Sequence, residues 1–243
     1  MKVQRTHDQF YLQENRYKSP KKLHLDIIEM IKAVHSGDES NITICDFGCA
    51  AGEFEYALHQ HFPRAKITGF DVLELLLEKA RREVPVAVTF AAGSILERSI
   101  CPASSVDFSL STGVLSIFDR FEIALDNLIY WTKDGGSVFI HSLFNKEPVD
   151  VFIKYCLSAD YGADTLESGW NIFSQESVGK WLAHHPKVAK FEFLPFSLDL
   201  DLQRNENDPA RSWTFEDKDG TRHITNGLCL LQPHAILSIT VKK

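Results

Sequence analysis

The stretch ICDFGCAAGEF, Ile44 to Phe54, decides the architecture. An apolar run from Ile42 carries an acid, Asp46, near its end and passes into a turn of small residues, Gly48, Cys49, Ala50, Ala51 and Gly52. The following EFEYALHQHF places Phe54, Ala57, Leu58 and His61 at helical spacing. Strand, bare turn and helix together make a backbone cradle at the carboxyl end of a strand. A missing Cβ there lets a ligand, or simply the next helix, come close. From this stretch alone a ligand cradle and a ligand-free tight turn both remain open.

The same rhythm continues outward. AKITGFDV reads as a second strand ending in Asp71, and LELLLEKARREV as a helix whose Leu75, Leu76 and Lys79 to Ala80 follow the helical period. AVTFAAG is a third strand and VDFSLSTG a fourth. FEIALDNLIYWTK is a helix stopped by Asp134-Gly135-Gly136, and SVFIHSLF a fifth strand. Strands separated by helices of this length require a parallel sheet covered on both faces. Before them, PKKLHLDIIEMIKAV carries Leu23, Ile27, Ile28 and Ile31 on one helical face. After them, VDVFIKYCLSA reads as helix, and SQESVGKWLAHH as a helix with Ser174 as N-cap and Glu176 in its first turn. KFEFLPFSLDLDL, with Leu198 and Leu200 set against Asp199 and Asp201, and HAILSITVKK both alternate. With no helix between them they form an antiparallel pair at one sheet edge. Asp219-Gly220 turns a smaller hairpin in their connection.

The whole chain suits one domain with a full core: 243 residues, 44% hydrophobic and 24% charged. A net charge of −7, with no basic block beyond the short Lys18 to Lys22 cluster, argues against nucleic acid or an anionic membrane as partner. No apolar run reaches the roughly 18 residues of a membrane span, and MKVQRTHDQF lacks the apolar stretch of a signal peptide. The five cysteines show neither paired spacing nor a second Cys/His pair for zinc. They read as reduced thiols of a cytoplasmic protein without a metal.

Asp71 narrows the ligand. It stands at the end of the second strand, 19 residues past Gly52, where one carboxylate can accept from both hydroxyls of a ribose. Its alternative is a helix N-cap. The turn is spaced GxxxG rather than GxGxxG, which provides less for a pyrophosphate and favours a nucleoside without one.

These four ordered motifs, over roughly residues 40 to 145, resemble the class I S-adenosylmethionine-dependent methyltransferases. ICDFGCAAG matches that family's first motif with Ala50 where the middle glycine usually stands. GFDVLELLLEKAR, VDFSLSTGVLSIF and LDNLIYWTKDGGSVFI resemble the second motif, the fourth-strand exit and the segment leading into strand five. The resemblance implies a three-layer Rossmann-like α/β sandwich, with a mostly parallel seven-stranded sheet and an antiparallel last strand. It implies one domain over 1–243: an N-terminal helical lid at 1–40, a cofactor-binding core at 41–145, and a C-terminal part at 146–243 with an acceptor-side insertion near 203–231. It implies S-adenosyl-L-methionine as cofactor and S-adenosyl-L-homocysteine as product. Asp46, Gly48, Cys49, Ala50 and Gly52 would line the methionine moiety, and Asp71 would hold the ribose. Val72, Gly93, Ser94 and Ile95 would lie against the adenine, with Ser94 where many relatives carry an acid. Ser111 and Thr112, with Gly113, would end strand four where cofactor and acceptor meet.

The acceptor is then expected to be a small polar metabolite methylated at oxygen or nitrogen, with an anionic one suited to the arginines of the insertion. His141 is the candidate base for a hydroxyl acceptor. Tyr17, Trp170, Arg211 and His223 are the candidate acceptor contacts, and Phe10, Tyr11 and Tyr17 the aromatic residues of the lid. A cofactor-binding domain without catalysis, serving as a partner subunit, is the alternative. The missing GxGxxG speaks against a nicotinamide enzyme.

Overall fold

The computed structural model describes residues 11–35, 37–162 and 166–242; Phe10 and the start of the expected lid lie outside them. Five parallel strands, β1 (Thr43–Phe47), β2 (Lys66–Asp71), β3 (Thr89–Ala92), β4 (Val106–Thr112) and β5 (Thr132–Asn145), lie in the order β3-β2-β1-β4-β5. Three short strands follow in the chain: β6 (Lys154–Tyr155), β7 (Glu167–Ser168) and β8 (Phe173–Ser174), the last adding to the end of β5. β9 (Val188–Pro195) forms the far edge, and β12 (His234–Val241) is inserted antiparallel between β5 and β9. The result is the mostly parallel seven-stranded sheet with one antiparallel strand expected from the sequence. β10 (Trp213–Glu216) and β11 (Arg222–Thr225) form the separate hairpin turned at Asp219-Gly220.

Helices cover both faces, and the period-2 alternation of the strands divides the core between them. On one face Ile44, Leu110, Phe139 and Ile236 pack with α1 (Lys22–Val34), α2 (Glu53–His61) and α3 (Glu74–Glu83). On the other, Phe47, Ile140 and Leu237 pack with α4 (Glu122–Trp131) and α5 (Gln175–His184). Trp131 is fully buried and stacks on Phe47 at 4.3 Å, and its indole N–H donates to the Arg98 carbonyl. The Ser174 hydroxyl accepts from Ser177 N–H and caps α5.

Four sequence readings are corrected. The α4 helix ends at Trp131, not at the glycines. Thr132 turns extended, its hydroxyl returning to Leu128 O at 2.7 Å, and residues 133–136 bulge between two registers of β4 and β5. The helix expected over 149–159 is absent. Val151 bridges Ile172, β6 pairs with β7, and the buried Asn171 side chain takes the Ile153 N–H at 2.6 Å while donating to Phe118 O. Leu198 to Asp201 are not strand: the chain leaves the sheet after Pro195, and Phe196 N–H closes against His234 O. In α3, Leu77 takes the buried position and Leu75 is exposed.

Candidate functional site

The turn after β1 is held from below. Gly48 N–H and Cys49 N–H both donate to Phe70 O, at 2.7 and 3.0 Å, which ties the turn to the end of β2. Gly48 has φ +100, and a Cβ on it would lie 2.1 Å from Val114 Cγ2. One on Gly52, at φ +80, would lie 2.9 Å from both Phe90 and Val84. What comes closest to these two glycines is therefore the protein itself, and the bare turn is first a packing requirement. Gly52 packs against α3 and β3 and Ser111 joins β4 to β1 through a 3.0 Å hydrogen bond to Phe47 O, so neither faces the cleft.

The open side of the turn faces a cavity of about 580 Å³. Asp46, Gly48, Cys49 and Ala50 form its floor, Asp71 and Val72 one side, Gly93, Ser94 and Ile95 another, and Thr112 its far end. Asp71 organises the mouth: Oδ2 accepts Ala50 N–H and Oδ1 accepts Leu73 N–H, each at 2.9 Å. Leu73, not Asp71, occupies the N-cap of α3. Each oxygen has a further lone pair beyond its backbone N–H. Ala50 sits in the left-handed region at φ 48, which costs an alanine about 1 kcal/mol or more. Ala50→Gly is accordingly expected to raise stability by roughly 0.5–1 kcal/mol, read as a higher urea midpoint at unchanged slope.

Beneath the floor lies an acidic pair of which the sequence reading saw only half. Asp46 and Glu55 are both buried, and Asp46 Oδ1 and both Glu55 oxygens have no hydrogen-bond partner among the described residues. Burial, eased by Glu55 but reinforced by the charge of Asp71, lifts Asp46 to about 7. Burial first and Asp46 next push Glu55 well up, and the Cys49 thiol is raised by burial and the same carboxyls. A dry floor crowded with carboxyls favours a cation above it. Glu55 escaped notice because it reads as an ordinary exposed position at the start of a helix.

The segment before α1 closes over the turn. Lys79 Nζ, from α3, donates to the carbonyls of Tyr11, Leu12 and Glu14; Glu53 accepts Arg16 N–H at 2.7 Å; Tyr17 O–H donates to Ala51 O at 2.8 Å. Tyr17, expected to touch the acceptor, instead fastens this segment and lines neither cavity. Tyr11 lines both.

A second cavity of about 520 Å³ adjoins the first, and the two share Tyr11, Lys21, His24, Thr112 and Gly113. His141, Trp170 and Arg211 line it. His223 does not, since it pairs with Asp217 at 2.8 Å on the outlying hairpin. His141 stacks on His234 with ring centres 4.9 Å apart, Nε2 lies 3.0 Å from His234 Nδ1, and its own Nδ1 has no partner among the described residues. Burial, then His234, holds His141 well below the ordinary histidine range, and burial takes His234 to about 4. His24, stacked on Phe54 at 4.5 Å, is lowered to about 3 by burial, then Lys21 and Arg16. All three rings are neutral at neutral pH. His24 had a legible signal: with Ile27, Ile28 and Ile31 it stands at i, i+3, i+4 and i+7. Trp170 occupies the left-handed region at φ 57, a strained conformation for a bulky residue and one that clusters at binding sites.

Residues 44–136 match the family described as "Methyltransferase domain". With the sheet order, the acid-ended β2 and the cleft, that match makes this segment similar to the cofactor-binding core of the class I S-adenosylmethionine-dependent methyltransferases. No curated protein matches the sequence. Among solved structures, a chain of the complex between the Haloferax volcanii Trm112 methyltransferase activator and a methyltransferase is 14% identical, with TM-score 0.63, 99% of this chain covered and 100% of that one. An S-adenosylmethionine-dependent methyltransferase from Listeria monocytogenes is 10% identical, with TM-score 0.56 and coverage of 90% and 98%. The [4+2]-cyclase SpnF is 16% identical, with TM-score 0.52 and coverage of 74% and 63%. Likeness at these identities shows the shared fold. Among the described residues no helix is long and apolar enough to cross a membrane.

Proposed function

We propose that this methyltransferase acts on a small polar metabolite, at oxygen or nitrogen, held in the second cavity. The observation that carries this reading is the junction: the two cavities meet at Thr112, Gly113 and His24, at the carboxyl ends of the parallel strands.

The residues of the first cavity fit the cofactor. Asp71 offers two oxygens at the mouth for ribose hydroxyls, and Val72 and Ile95 flank the space beyond them for a base. Ser94 would accept from the adenine amino group, and the unpartnered Asp46 Oδ1 suits an ammonium. Bound S-adenosylmethionine supplies an electrophilic methyl group on a sulfonium leaving group. The protein's own contribution is then to align the acceptor across Thr112–Gly113 and to keep water out beneath the segment fastened by Lys79, Glu53 and Tyr17. For a hydroxyl acceptor, an unprotonated imidazole takes the proton. His141 lines the acceptor cavity, and His24 stands where the cavities meet.

Calorimetry with S-adenosylmethionine, S-adenosylhomocysteine and NAD tests the cofactor side: micromolar binding of the first two is expected, and tight NAD binding without S-adenosylhomocysteine would overturn it. Labelled-methyl transfer to a panel of hydroxy and amino metabolites tests turnover. Cofactor binding with no transfer to any of them would favour the non-catalytic alternative.

A further inference from the structure

We propose that the acceptor carries an anionic oxygen group, a carboxylate or phosphate, which the second cavity binds between Arg16, Lys21 and Arg211. This rests on the reading of that cavity as the acceptor site.

Three cations converge there on one carboxylate. Glu14 lies 2.5 Å from Arg211, 3.3 Å from Lys21 and 4.0 Å from Arg16. Among the described residues that line the cavity, Glu14 is the one carboxylate. Lys22, also on the wall, is matched by Asp26 and adds nothing to the excess. Among the described residues, positive charge therefore exceeds negative by two at a concave wall of a chain whose net charge is −7. The three cationic side chains are 33–42% exposed, so they are partly hydrated and able to turn toward a ligand, while Glu14 beneath them is 11% exposed. Burial tends to raise Glu14, but Lys21 and Arg211 outweigh it and hold the carboxyl ionised. Two guanidinium groups and an ammonium around one oxygen-bearing group are the chemistry that recognises carboxylate and phosphate.

The rest of the cavity fits such a molecule. Leu198, Leu200 and Leu202, on the segment that leaves the sheet after β9, face it together with Ile224 and supply apolar contact for the acceptor's body. A volume of about 520 Å³ is that of a small-molecule site. Lys21 and Arg16 also depress the affinity of His24 for a proton. An anion among them reverses that effect and brings the imidazole at the junction nearer to basicity only when acceptor is bound.

The test is calorimetry on the chain saturated with S-adenosylhomocysteine. 4-Hydroxybenzoate and glucose 1-phosphate are compared with neutral 4-hydroxybenzyl alcohol and glucose, so that the two arms separate carboxylate from phosphate. At least one anion is expected to bind tenfold or more tightly than its neutral counterpart, and to weaken with added salt. Arg211→Gln is expected to reduce that affinity about tenfold while S-adenosylhomocysteine binding is unchanged. Glu14→Gln is expected to raise it severalfold, since the competing carboxylate is gone; a purely structural cluster predicts no gain. Anion binding should also move the His24 imidazole upward in an NMR pH titration. Neutral probes binding as well as anions, no anion binding, or loss of affinity in Glu14→Gln would each overturn the proposal. Failure of S-adenosylhomocysteine itself to bind would instead overturn the reading on which it rests.

Discussion

Replacing Asp71 by alanine is expected to lower the affinity for S-adenosylhomocysteine at least a hundredfold and to cost the fold about 2–4 kcal/mol. Two effects combine. The carboxylate accepts from Ala50 N–H and Leu73 N–H, and it therefore holds the glycine-rich turn and the entry to α3 at once. Hydrogen bonds to a charged acceptor are each worth roughly 1.5–3 kcal/mol, and the two N–H groups would lose their partner in a site where Asp71 is only 9% exposed. On the proposed reading, the ribose contacts go with the same oxygens. Asp71→Asn separates the contributions, because the amide keeps the shape but can accept from only one of the two N–H groups. It should recover part of the stability and little of the affinity. Calorimetry and urea unfolding read the two effects separately, and near-native affinity in the alanine variant would remove Asp71 from the cofactor site.

The second large effect comes from the buried acid pair. Asp46 is lifted from 3.8 to about 7 in the folded chain, so folding holds its proton more tightly. Unfolding then releases protons between those two values, and stability falls as pH rises from near 4 to about 7. Glu55, raised further, extends the loss to higher pH. Among the described residues, the groups facing this pair are Asp71 and the Cys49 thiol, which stays neutral, and no cation offsets them. Glu55→Gln is therefore expected to be more stable than the parent by roughly 2–3 kcal/mol at pH 8, with little difference at pH 4. Urea midpoints across this range measure it. A flat profile in the parent, or a variant less stable at pH 8, would mean that the two carboxyls are not confined together. Affinity for S-adenosylhomocysteine, which carries an ammonium, should correspondingly increase from pH 6 to pH 8 as Asp46 ionises.

Residue by residue, what was legible in the sequence was what neighbouring residues decide. The glycine turn, the acid at the end of β2, the Ser174 cap and the Asp219-Gly220 hairpin each follow from local backbone preference and side-chain periodicity. Where contact partners lie far along the chain, the local reading failed. The segment 149–159 has helical spacing, but Asn171, Ser116 and Phe118 capture it as an open strand pair. Leu198 to Asp201 alternate like a strand, yet find no edge to pair with and turn to the second cavity. Tyr17 and His223 were read as acceptor contacts from residue type alone, and each proved to have a partner elsewhere.

The sequence by itself determined the parallel sheet and the cleft at its carboxyl edge, because alternation, helical period and glycine placement act over a few residues. Only the tertiary structure decided what the small turn residues admit, which acids are buried beneath them, and that Glu14, Lys21 and Arg211 meet. The physical reason is that burial and charge excess are properties of a place. Glu55 and His24 become unusual only when a sheet and a covering segment exclude water from them. Three cations become a site only when Arg211, 197 positions along the chain, converges with Arg16 and Lys21 on Glu14.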